Sequence, residues 1–406
     1  MPNKDRNIPK RRFKEFENED AWELRKLGEV ADVFDGTHQT PRYTNQGVMF
    51  LSVEDINTLE SEKYISSEDF EKEFKIFPEF NDVLMTRIGD IGTSNIVKTN
   101  DKIAYYVSLA LIKPKKLESH FLNSIIQSKD FQNELWKRTL HIAFPKKINK
   151  GEISEVNLKF PTLPEQKAIG TFFSTLDQQI TLHQRKLDKL KHVKQAYLSE
   201  MFPAEGERVP KRRFPGFTDD WELRKLGEYS TLITKGTTPR DKSGIGVVNF
   251  VKVENLVNGD IIPLQKIQLE EHEGYLKRSQ LIENDILFSI AGTLGRTAIV
   301  KKSILPANTN QALSIIRGYE FDRNFLVTIL RGVVVREFIK RNPTIGAQPN
   351  LSLEQVSNLC FLSPCSEEQS AIGTFFSTLD RHITLHQRKL EKLKNLKKAL
   401  LNELFV

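Results

Sequence analysis

Residues 163–202 read LPEQKAIGTFFSTLDQQITLHQRKLDKLKHVKQAYLSEMF, and residues 368–405 repeat most of them as EQSAIGTFFSTLDRHITLHQRKLEKLKNLKKALLNELF. In both copies apolar or bulky residues alternate at steps of four and three, the spacing of a coiled-coil seam. Each copy is predicted to form one helix of roughly 57 Å. Such a helix is rarely stable alone in water, so the two seams are predicted to pair. The seam residues are Phe173, Leu176, Ile180, His183, Leu187 and Leu190 in the first copy and Phe376, Leu379, Ile383, His386, Leu390 and Leu393 in the second.

Each seam is interrupted by a histidine and a lysine at equivalent positions, which indicates that both copies descend from one unit and share one geometry. His183 and His386 are predicted to be polar contacts that set the register of the helix pair. His382 and His386 also have the i, i+4 spacing of metal ligands. However, the first copy has Gln179 in place of His382 and no carboxylate or cysteine joins them, so no metal site is predicted.

A short basic box precedes each half of the chain. It contains PKRRF, beginning at Pro9 and again at Pro210, and WELRKLGE, beginning at Trp22 and again at Trp221. The chain is therefore a tandem duplication with a repeat far longer than solenoid periods. The predicted segments are an N-terminal box packing near the C-terminal helix (1–28), a first globular unit (29–161), a central long helix (162–203), a linker with the repeated box (204–228), a second globular unit (229–362) and a C-terminal long helix (363–406).

The first globular unit mixes predicted strands, glycine turns and a helix. Val48–Val53 and Asp82–Thr86 have the composition of strands, and Gly89–Gly92 is predicted to be a loop. The spacing of apolar residues from Phe121 to Leu140 predicts a helix. The second unit follows the same plan with far less identity.

The two globular units share their landmarks but not the side chains between them. Arg87 corresponds to Ile290, and Thr93 corresponds to Arg296. The boxes and long helices, in contrast, are nearly identical. This layout fits a fixed scaffold that carries two differently specified recognition units.

Composition excludes some classes of protein and permits others. The 406 residues are 39% hydrophobic, which suffices for compact cores, and the net charge of +7 permits nucleic-acid binding without proving it. The two cysteines, Cys360 and Cys365, form no disulfide framework. No secretory h-region and no apolar run of about 18 residues is present. We therefore expect a cytoplasmic location and no membrane span.

Catalytic motifs are missing from the sequence. It contains no phosphate-binding loop of the form G-x-x-x-x-G-K-S/T. The nearest approach to the motif of DNA amino-methyltransferases is Asn342–Ile345, which lacks the aromatic residue that would hold a flipped base. The chain itself is expected to catalyse no bond chemistry and to bind no cofactor.

The loops that open the globular units are the best candidates for contacting DNA. They combine hydroxyl groups, cations and glycine-permitted backbone, which suits phosphates and base edges, although an ordinary surface turn remains an alternative. Amide-rich segments of the second unit suit adenine, and two lysines of the first suit phosphate. The basic face of the long helices is interpreted as solvated. The candidates are Thr37, His38, Gln39, Arg42, Arg87, Lys146 and Lys147 in the first unit and Thr237, Thr238, Arg240, Lys242, Arg296, Asn308, Asn310, Gln311, Gln348 and Asn350 in the second.

The chain resembles the specificity subunit of type I restriction–modification systems. The resemblance rests on the duplicated WELRKLGE box, on the helix starts LPEQKAIGTFFSTLDQQI and EEQSAIGTFFSTLDRHI, and on the Gly-Thr…Thr-Pro loops. It covers essentially the whole chain.

This resemblance implies an α+β fold with two mixed α/β target recognition domains, separated by two long antiparallel coiled-coil helices with pseudo-two-fold symmetry. It implies that each domain recognises one half of an asymmetric, bipartite double-stranded DNA target, and that the helices set the spacer and dock the partners. The implied partners are two modification subunits, which carry S-adenosylmethionine and methylate adenine, and two restriction subunits, which use ATP and Mg²⁺.

Two other functions stay open at this stage. The chain could be a coiled-coil adaptor without DNA sequence readout, although two well-formed units with different surfaces argue against that. It could also be a methyltransferase or nuclease, which binding of S-adenosylmethionine by the isolated chain would favour. A gel shift with random-sequence DNA, with and without a modification subunit, separates all three.

Overall fold

The computed structural model describes residues 7–341 and 350–406, which form two compact units. Unit 1 extends to Gln184 and also includes Lys389–Val406, whereas unit 2 comprises Arg185–Arg388. Each unit therefore takes its globular part from one half of the duplicated sequence and its helical part from both halves.

Unit 1 is built mainly from short strands and short helices. Its strands are β1 (Glu23–Lys26), β2 (Ala31–Asp35), β3 (Tyr43–Thr44), β4 (Val48–Leu51), β5 (Tyr64–Ile65), β6 (Val83–Ile88), β7 (Asp90–Ile96), β8 (Ile103–Tyr105), β9 (Leu109–Pro114) and β10 (Asn157–Phe160). Its helices are α1 (Leu27–Val30), α2 (Ser67–Glu73), α3 (Ser119–Ile126), α4 (Lys129–Arg138) and α5 (Lys150–Ser154), followed by the first long helix, α6 (Leu163–Glu200). The sheets have the orders β2-β9-β6-β7, β3-β5-β4-β8 and β1-β10.

Unit 2 follows a closely similar plan. Its strands are β11 (Glu222–Lys225), β12 (Ser230–Lys235), β13 (Val248–Val251), β14 (Leu256–Val257), β15 (Asp260–Ile261), β16 (Gln265–Ile267), β17 (Ile286–Ser289), β18 (Thr297–Ile299), β19 (Ala307–Thr309), β20 (Leu313–Tyr319) and β21 (Cys360–Ser363). Its helices are α7 (Leu269–Glu273), α8 (Arg323–Arg331), α9 (Val333–Arg341) and α10 (Leu353–Ser357), followed by the second long helix, α11 (Ser366–Glu403). The sheets have the orders β12-β20-β17-β18, β16-β13-β19, β14-β15 and β11-β21.

The central sheet of each unit separates two layers of buried side chains. In β6, Val83 and Met85 join the cluster that contains Phe121, whereas Leu84 joins the cluster that contains Phe50. Successive side chains of a strand point to opposite faces, so both faces of this sheet are covered. Strand β17 of unit 2 divides its side chains in the same way. The first three residues of β6 and of β17 are therefore all hydrophobic and do not alternate with polar residues.

The prediction of a single helix from Phe121 to Leu140 is wrong in one respect. The segment is helical, but it forms two helices, α3 and α4. The side chain of Ser128 accepts a hydrogen bond from the backbone N–H of Phe131 and so caps a new helix. A serine in this role favours an N-terminus over a helix interior.

The loop predicted over Gly89–Gly92 is also shorter than expected. Gly89, at φ +81°, turns the chain directly from β6 into β7, where Ile88 pairs with Asp90. Gly92 already lies within β7.

The long helices run antiparallel, which confirms the predicted pairing within each unit. In unit 1, Lys397 of α11 donates to Asp177 of α6 at 2.6 Å, and the ring of Phe405 lies 5.6 Å from that of Phe173. Rising residue numbers in one helix thus meet falling numbers in the other. In unit 2, Lys194 forms the equivalent ion pair with Asp380. The lysines that interrupt the predicted seams are therefore paired across the two helices.

The seam residues lie on the covered side of both helices. Those that are buried are Phe173, Leu176, Leu187, Phe376, Leu390 and Leu393, and those that are half-buried are Ile180, His183, Leu190, Leu379, Ile383 and His386.

A buried ion pair ties the repeated box to the start of a long helix in each unit. Nε and Nη2 of Arg12 donate to the carboxylate of Glu165 at 2.8 and 2.6 Å. Arg213 makes the same pair with Glu368, with both bonds at 2.7 Å. These hydrogen bonds raise the pKa of Arg12 and of Arg213. The arginine of the repeated Arg-Arg motif and the glutamate of the repeated Glu-Gln motif therefore hold the box against the long helix in each unit.

The N-terminal box contacts the end of α11. The ring of Trp22 lies 6.2 Å from that of Phe405, and the backbone N–H of Arg11 donates to the carbonyl of Glu403 at 2.9 Å. The residues next to the N-terminus and those next to the C-terminus thus complete one hydrophobic core.

Candidate nucleic-acid interface

The Gly-Thr loop of unit 1 is held against the backbone that follows β8. The N–H of Thr37 donates to the carbonyl of Tyr105 at 3.1 Å, and Val107 donates back to Thr37 at 2.9 Å. A Cβ atom at Gly36 would lie 2.4 Å from the Tyr105 carbonyl oxygen, so only glycine allows this approach. The loop root is fixed, while His38, with Gln39 and Arg42, is exposed.

The hydroxyl group of Tyr105 also fixes the base of the Thr37 loop, because it donates a hydrogen bond to the carbonyl of Asp35 at 3.0 Å. Burial raises the pKa of Tyr105, so the phenol remains a hydrogen-bond donor well above neutral pH.

Arg87 is placed in the interior of unit 1, which corrects the expectation that it contacts DNA. Its side chain is 6% exposed, pairs with Asp35 and donates from Nε to the carbonyl of Ile148 at 2.9 Å. A guanidinium group used in this way braces the end of β2 against the segment before α5. Its role is structural because both hydrogen-bonding edges face protein groups.

Through Arg87, two candidate DNA-contacting segments meet at one end of the sheet. Asp35, at the end of β2, lies 3.8 Å from the ring of His38 and pairs with Arg87 near the end of β6. Lys146 accepts a backbone hydrogen bond from Gly89 at 2.8 Å, and Lys147 forms a bridge with Ile88. The side chains of the Thr37 loop and both lysines therefore share one edge of unit 1.

The equivalent loop of unit 2 has the same backbone contact and different side chains. The N–H of Thr237 donates to the carbonyl of Thr309 at 2.9 Å, and a Cβ atom at Gly236 would lie 2.1 Å from that oxygen. Thr238 is hydrogen-bonded to Gln311, which brings two of the predicted residues together. Lys242 is exposed in the same loop.

Three residues that the sequence did not single out shape this loop in unit 2. Arg278 donates from Nε to the hydroxyl of Thr237 at 3.0 Å. The guanidinium of Arg240 lies 4.2 Å above the ring of Tyr275, and Glu271 accepts from the backbone N–H of Arg240 at 2.7 Å. No local sequence pattern marks them, because each contact joins residues at least thirty positions apart.

Asn308 is fully buried, which corrects the prediction that it reaches adenine. Its Nδ2 donates to the carbonyl of Leu276 at 2.8 Å and to Ser279 at 3.1 Å, and its Oδ1 contacts His272. The amide is therefore committed to protein partners and holds the segment that carries Arg278.

The other candidates of unit 2 are dispersed. Asn310 accepts from the N–H of Ala312 at 3.2 Å, and the exposed Asn350 forms a bridge with Ala291. Arg296 donates to the carbonyl of Val253 at 3.3 Å and lines a different site. Gln348 and the segment Asn342–Ile345 lie outside the described residues.

Arg296 lines a cavity of about 520 Å³ that lies against the long-helix segments of unit 2. Its charged lining residues are Lys194, Arg296, Arg331 and Asp380. Burial lowers the pKa of Arg331, although Asp380 opposes this, and Nη2 of Arg331 donates to the carbonyl of Thr297 at 2.8 Å. Arg296 is thus separated from the Thr237 loop.

Within residues 7–341 and 350–406, no group of three or more histidine, cysteine or acidic side chains is arranged to hold a metal ion. In the same part of the chain, no helix combines the length and hydrophobicity needed to cross a membrane.

Comparison with known proteins identifies the family to which the chain belongs. The family described as "Type I restriction modification DNA specificity domain" matches the chain twice, at residues 19–192 and 218–395. The MjaVIII specificity subunit of Methanocaldococcus jannaschii is 22% identical over 77% of this chain and 72% of its own length. The EcoBI specificity subunit of Escherichia coli is 23% identical over 95% of this chain and 86% of its own.

A solved structure supports the fold. The crystal structure of the type I restriction–modification S subunit from M. genitalium matches with a TM-score of 0.69 and 14% identity, over 98% of this chain and 99% of that one. Since the two matches to the family cover most of the sequence and each includes one of the glycine loops, the chain belongs to the type I restriction–modification DNA specificity family, with two copies of the family's domain.

Proposed function

We propose that this chain is the DNA-reading subunit of a type I restriction–modification complex, and that units 1 and 2 each recognise one half of a bipartite duplex target. The observation that carries the proposal is the contrast between the two glycine loops. Thr37 and Thr237 are held by the same backbone contact, but His38 and Gln39 follow one of them, and Thr238 and Arg240 the other. One scaffold with two sets of exposed side chains suits a target whose halves differ.

The chemistry of the complex belongs to other chains in this proposal. The chain itself binds no cofactor, and modification subunits supply S-adenosylmethionine and methylate adenine. Restriction subunits supply ATP-dependent, Mg²⁺-dependent translocation and cleavage. The duplicated boxes and helices support two modification subunits and, with them, two restriction subunits, because two nearly identical surfaces offer two equivalent docking positions. The helices would also fix the length of the unread spacer.

The alternative, a coiled-coil adaptor without sequence readout, has less support. An adaptor needs the helix pair and has no use for two loops with the same fixed root and different exposed side chains.

The test uses the complex of this chain with its modification subunits. Its target is first defined by sequencing methylated DNA from cells with and without the gene. We then expect Arg240→Ala to relax recognition in one half of the target and to leave the other half unchanged, with about 1–3 kcal/mol lost at the affected base pair. Arg323→Ala is the matched control. Arg323 is exposed and donates a hydrogen bond to Asn284, which lies at the end of β17 opposite to the Thr237 loop.

Two results would contradict the proposal. One is methylation without a bipartite motif. The other is an Arg240→Ala complex in which both halves of the target are relaxed equally.

A further inference from the structure

Residues 140–147, the Phe144 loop, display apolar side chains from a fixed base in unit 1. The N–H of Leu140 donates to the carbonyl of Lys147 at 2.8 Å, and Gly89 donates to Lys146 at 2.8 Å. Between these anchors Ile142 and Phe144 are fully exposed. The loop tip is therefore held away from the core of the unit.

Full exposure of a phenylalanine beside an isoleucine is unfavourable in water unless a partner covers them. An aromatic side chain can bury 150 Å² or more on binding, which is a large part of the energetics of an interface. Apolar patches rimmed by polar residues commonly mark interaction sites. A partner that covers the tip would therefore gain buried apolar area.

The charges around the tip favour nucleic acid as that occupant. Lys146 and Lys147 follow Phe144 after one proline, Pro145, and Nζ of Lys146 lies 4.7 Å above the ring of Trp136. The neighbouring cations of α4 are neutralised within the protein, since Lys137 pairs with Glu134 and Arg138 with Glu152. The two loop lysines consequently give the tip a positive rim.

The loop is also continuous with the candidate interface of unit 1. Ile148, the residue after the loop, accepts a hydrogen bond from Arg87, and Arg87 pairs with Asp35 beside His38. The apolar tip and the Thr37 loop are thus braced by one set of contacts.

We propose that Phe144, supported by Ile142, is an apolar wedge that inserts between neighbouring base pairs of duplex DNA in the target half bound by unit 1. Lys146 and Lys147 contact the phosphates on either side of the insertion. Inserted apolar side chains partly unstack a base step and kink the duplex, and stacking on an aromatic ring offsets part of the unstacking. This inference rests on the proposed function, because it needs unit 1 to lie on DNA.

The wedge is expected in only one half of the target. Asn350 of unit 2 forms a bridge with Ala291, as Lys147 of unit 1 does with Ile88. Three residues before Asn350 the sequence has Ala347, whereas three residues before Lys147 it has Phe144. An alanine cannot act as an aromatic wedge, so the distortion of the DNA should be asymmetric.

The experiment uses the full chain in complex with its modification subunits and duplexes that carry 2-aminopurine at successive positions of the target. The adenine that is methylated flips out of the duplex by itself, so positions next to it are left out of the comparison. At the remaining positions we expect fluorescence to rise at one base step of the unit 1 half on binding, and Phe144→Ala to abolish the rise. The variant should bind the target roughly 10-fold more weakly, as expected for loss of one aromatic–base stack. Phe144→Trp should retain both effects.

Phe80→Ala is the matched control, because Phe80 is 52% exposed and precedes β6, whereas the Phe144 loop adjoins the other end of that strand. It should leave fluorescence and affinity as in wild type. Lys146→Ala and Lys147→Ala should each flatten the salt dependence of binding by roughly one unit of slope, whereas Phe144→Ala should leave the slope unchanged.

Two results would overturn the wedge and leave the proposed function intact. One is specific binding by the wild-type complex with no fluorescence rise away from the methylated adenine in the unit 1 half and equal affinity of Phe144→Ala. The other is failure of Phe144→Ala to assemble with the modification subunits, which would assign the tip to a protein partner. Absence of any sequence-specific binding by the wild-type complex would instead reject the proposed function.

Discussion

Arg87 and Lys146 show that residue type does not decide what a basic side chain does in this protein. Both lie at the same end of unit 1, but Arg87 is enclosed by Asp35 and Ile148, whereas Lys146 is exposed in the Phe144 loop. The difference depends on an ion-pair partner 52 positions away in the sequence. Arg87 therefore supports the candidate interface that contains Lys146.

The Arg12–Glu165 pair makes a prediction about stability. Glu165→Gln keeps the shape of the side chain and removes the charge that balances Arg12. Since both side chains are buried, we expect the free energy of unfolding to fall by about 3–5 kcal/mol. Denaturant unfolding of the full chain measures this.

The control for that prediction is the exposed pair of Lys26 and Glu155. Glu155→Gln should leave the denaturation midpoint unchanged, because solvent screens this pair. Equal effects of both variants would mean that burial does not matter at Glu165.

The raised pKa of Tyr105 predicts that the folded protein becomes less stable at alkaline pH. Burial raises its pKa above the ordinary value of 10.0, so the unfolded chain loses this proton at a lower pH than the folded chain. Its contribution to stability is complete below pH 10 and decreases as the pH rises above 10. We expect the advantage of wild type over Tyr105→Phe in free energy of unfolding to shrink between pH 8 and pH 11. A constant difference would contradict this.

At the scale of elements, a glycine inside each long helix is explained by a neighbouring helix. A Cβ atom at Gly170 would lie 2.4 Å from the Glu118 carboxylate and 2.7 Å from the backbone nitrogen of Phe121, where α3 begins. Gly373 meets the capped N-terminus of α8 in the same way. The glycine of the repeated Ile-Gly-Thr segment thus lets the N-terminus of a short helix approach the long helix closely.

Gly170→Ala is therefore expected to destabilise unit 1, although alanine normally favours a helix. The added methyl group displaces the carboxylate that caps α3, and loss of such a cap costs about 1 kcal/mol before any backbone shift. Thermal unfolding followed by circular dichroism measures the change.

Gly151→Ala is the control, because a Cβ atom there would meet nothing within 4 Å. Gly151 lies in α5, so alanine should raise the melting temperature slightly. A stabilising effect of Gly170→Ala would show that the close approach in α6 is unimportant.

At the scale of the whole molecule, the boundaries of the two folded units do not coincide with the boundary between the two sequence repeats. Each unit combines a globular part from one half with segments of both long helices. Asp177–Lys397 in unit 1 and Lys194–Asp380 in unit 2 fix the same register twice. Stability of either unit therefore depends on both halves of the sequence.

The spacer hypothesis is tested by lengthening both helices. Four residues inserted after Gln184 and four after Arg388 add about 6 Å to each helix. We expect the preferred target to gain about two base pairs of spacer, at 3.4 Å each, and both half-sites to keep their sequences. Methylation sequencing of cells that carry the variant gives the result.

An insertion in only one helix is the control. It shifts one seam against the other, so the two lysine–aspartate pairs no longer fit a single register. This variant should therefore unfold at a lower temperature. A change in half-site sequence by the double insertion would contradict the hypothesis.

The sequence by itself determined the features that depend on local order. The four–three spacing specified the long helices, the duplication specified two similar units, and the Gly-Thr pairs marked both loops. These patterns could be recognised because period and repetition do not require knowledge of distant contacts.

Only the tertiary structure decided how the helices are shared between the units and which candidate side chains reach solvent. Arg87 and Asn308 were predicted to contact DNA and are enclosed, whereas Arg278, which holds the Thr237 loop, and the exposed tip at Phe144 were not predicted. The physical reason is that burial and pairing depend on residues far apart in the chain. A sequence pattern specifies the face of a helix or strand, but it does not specify what packs against that face.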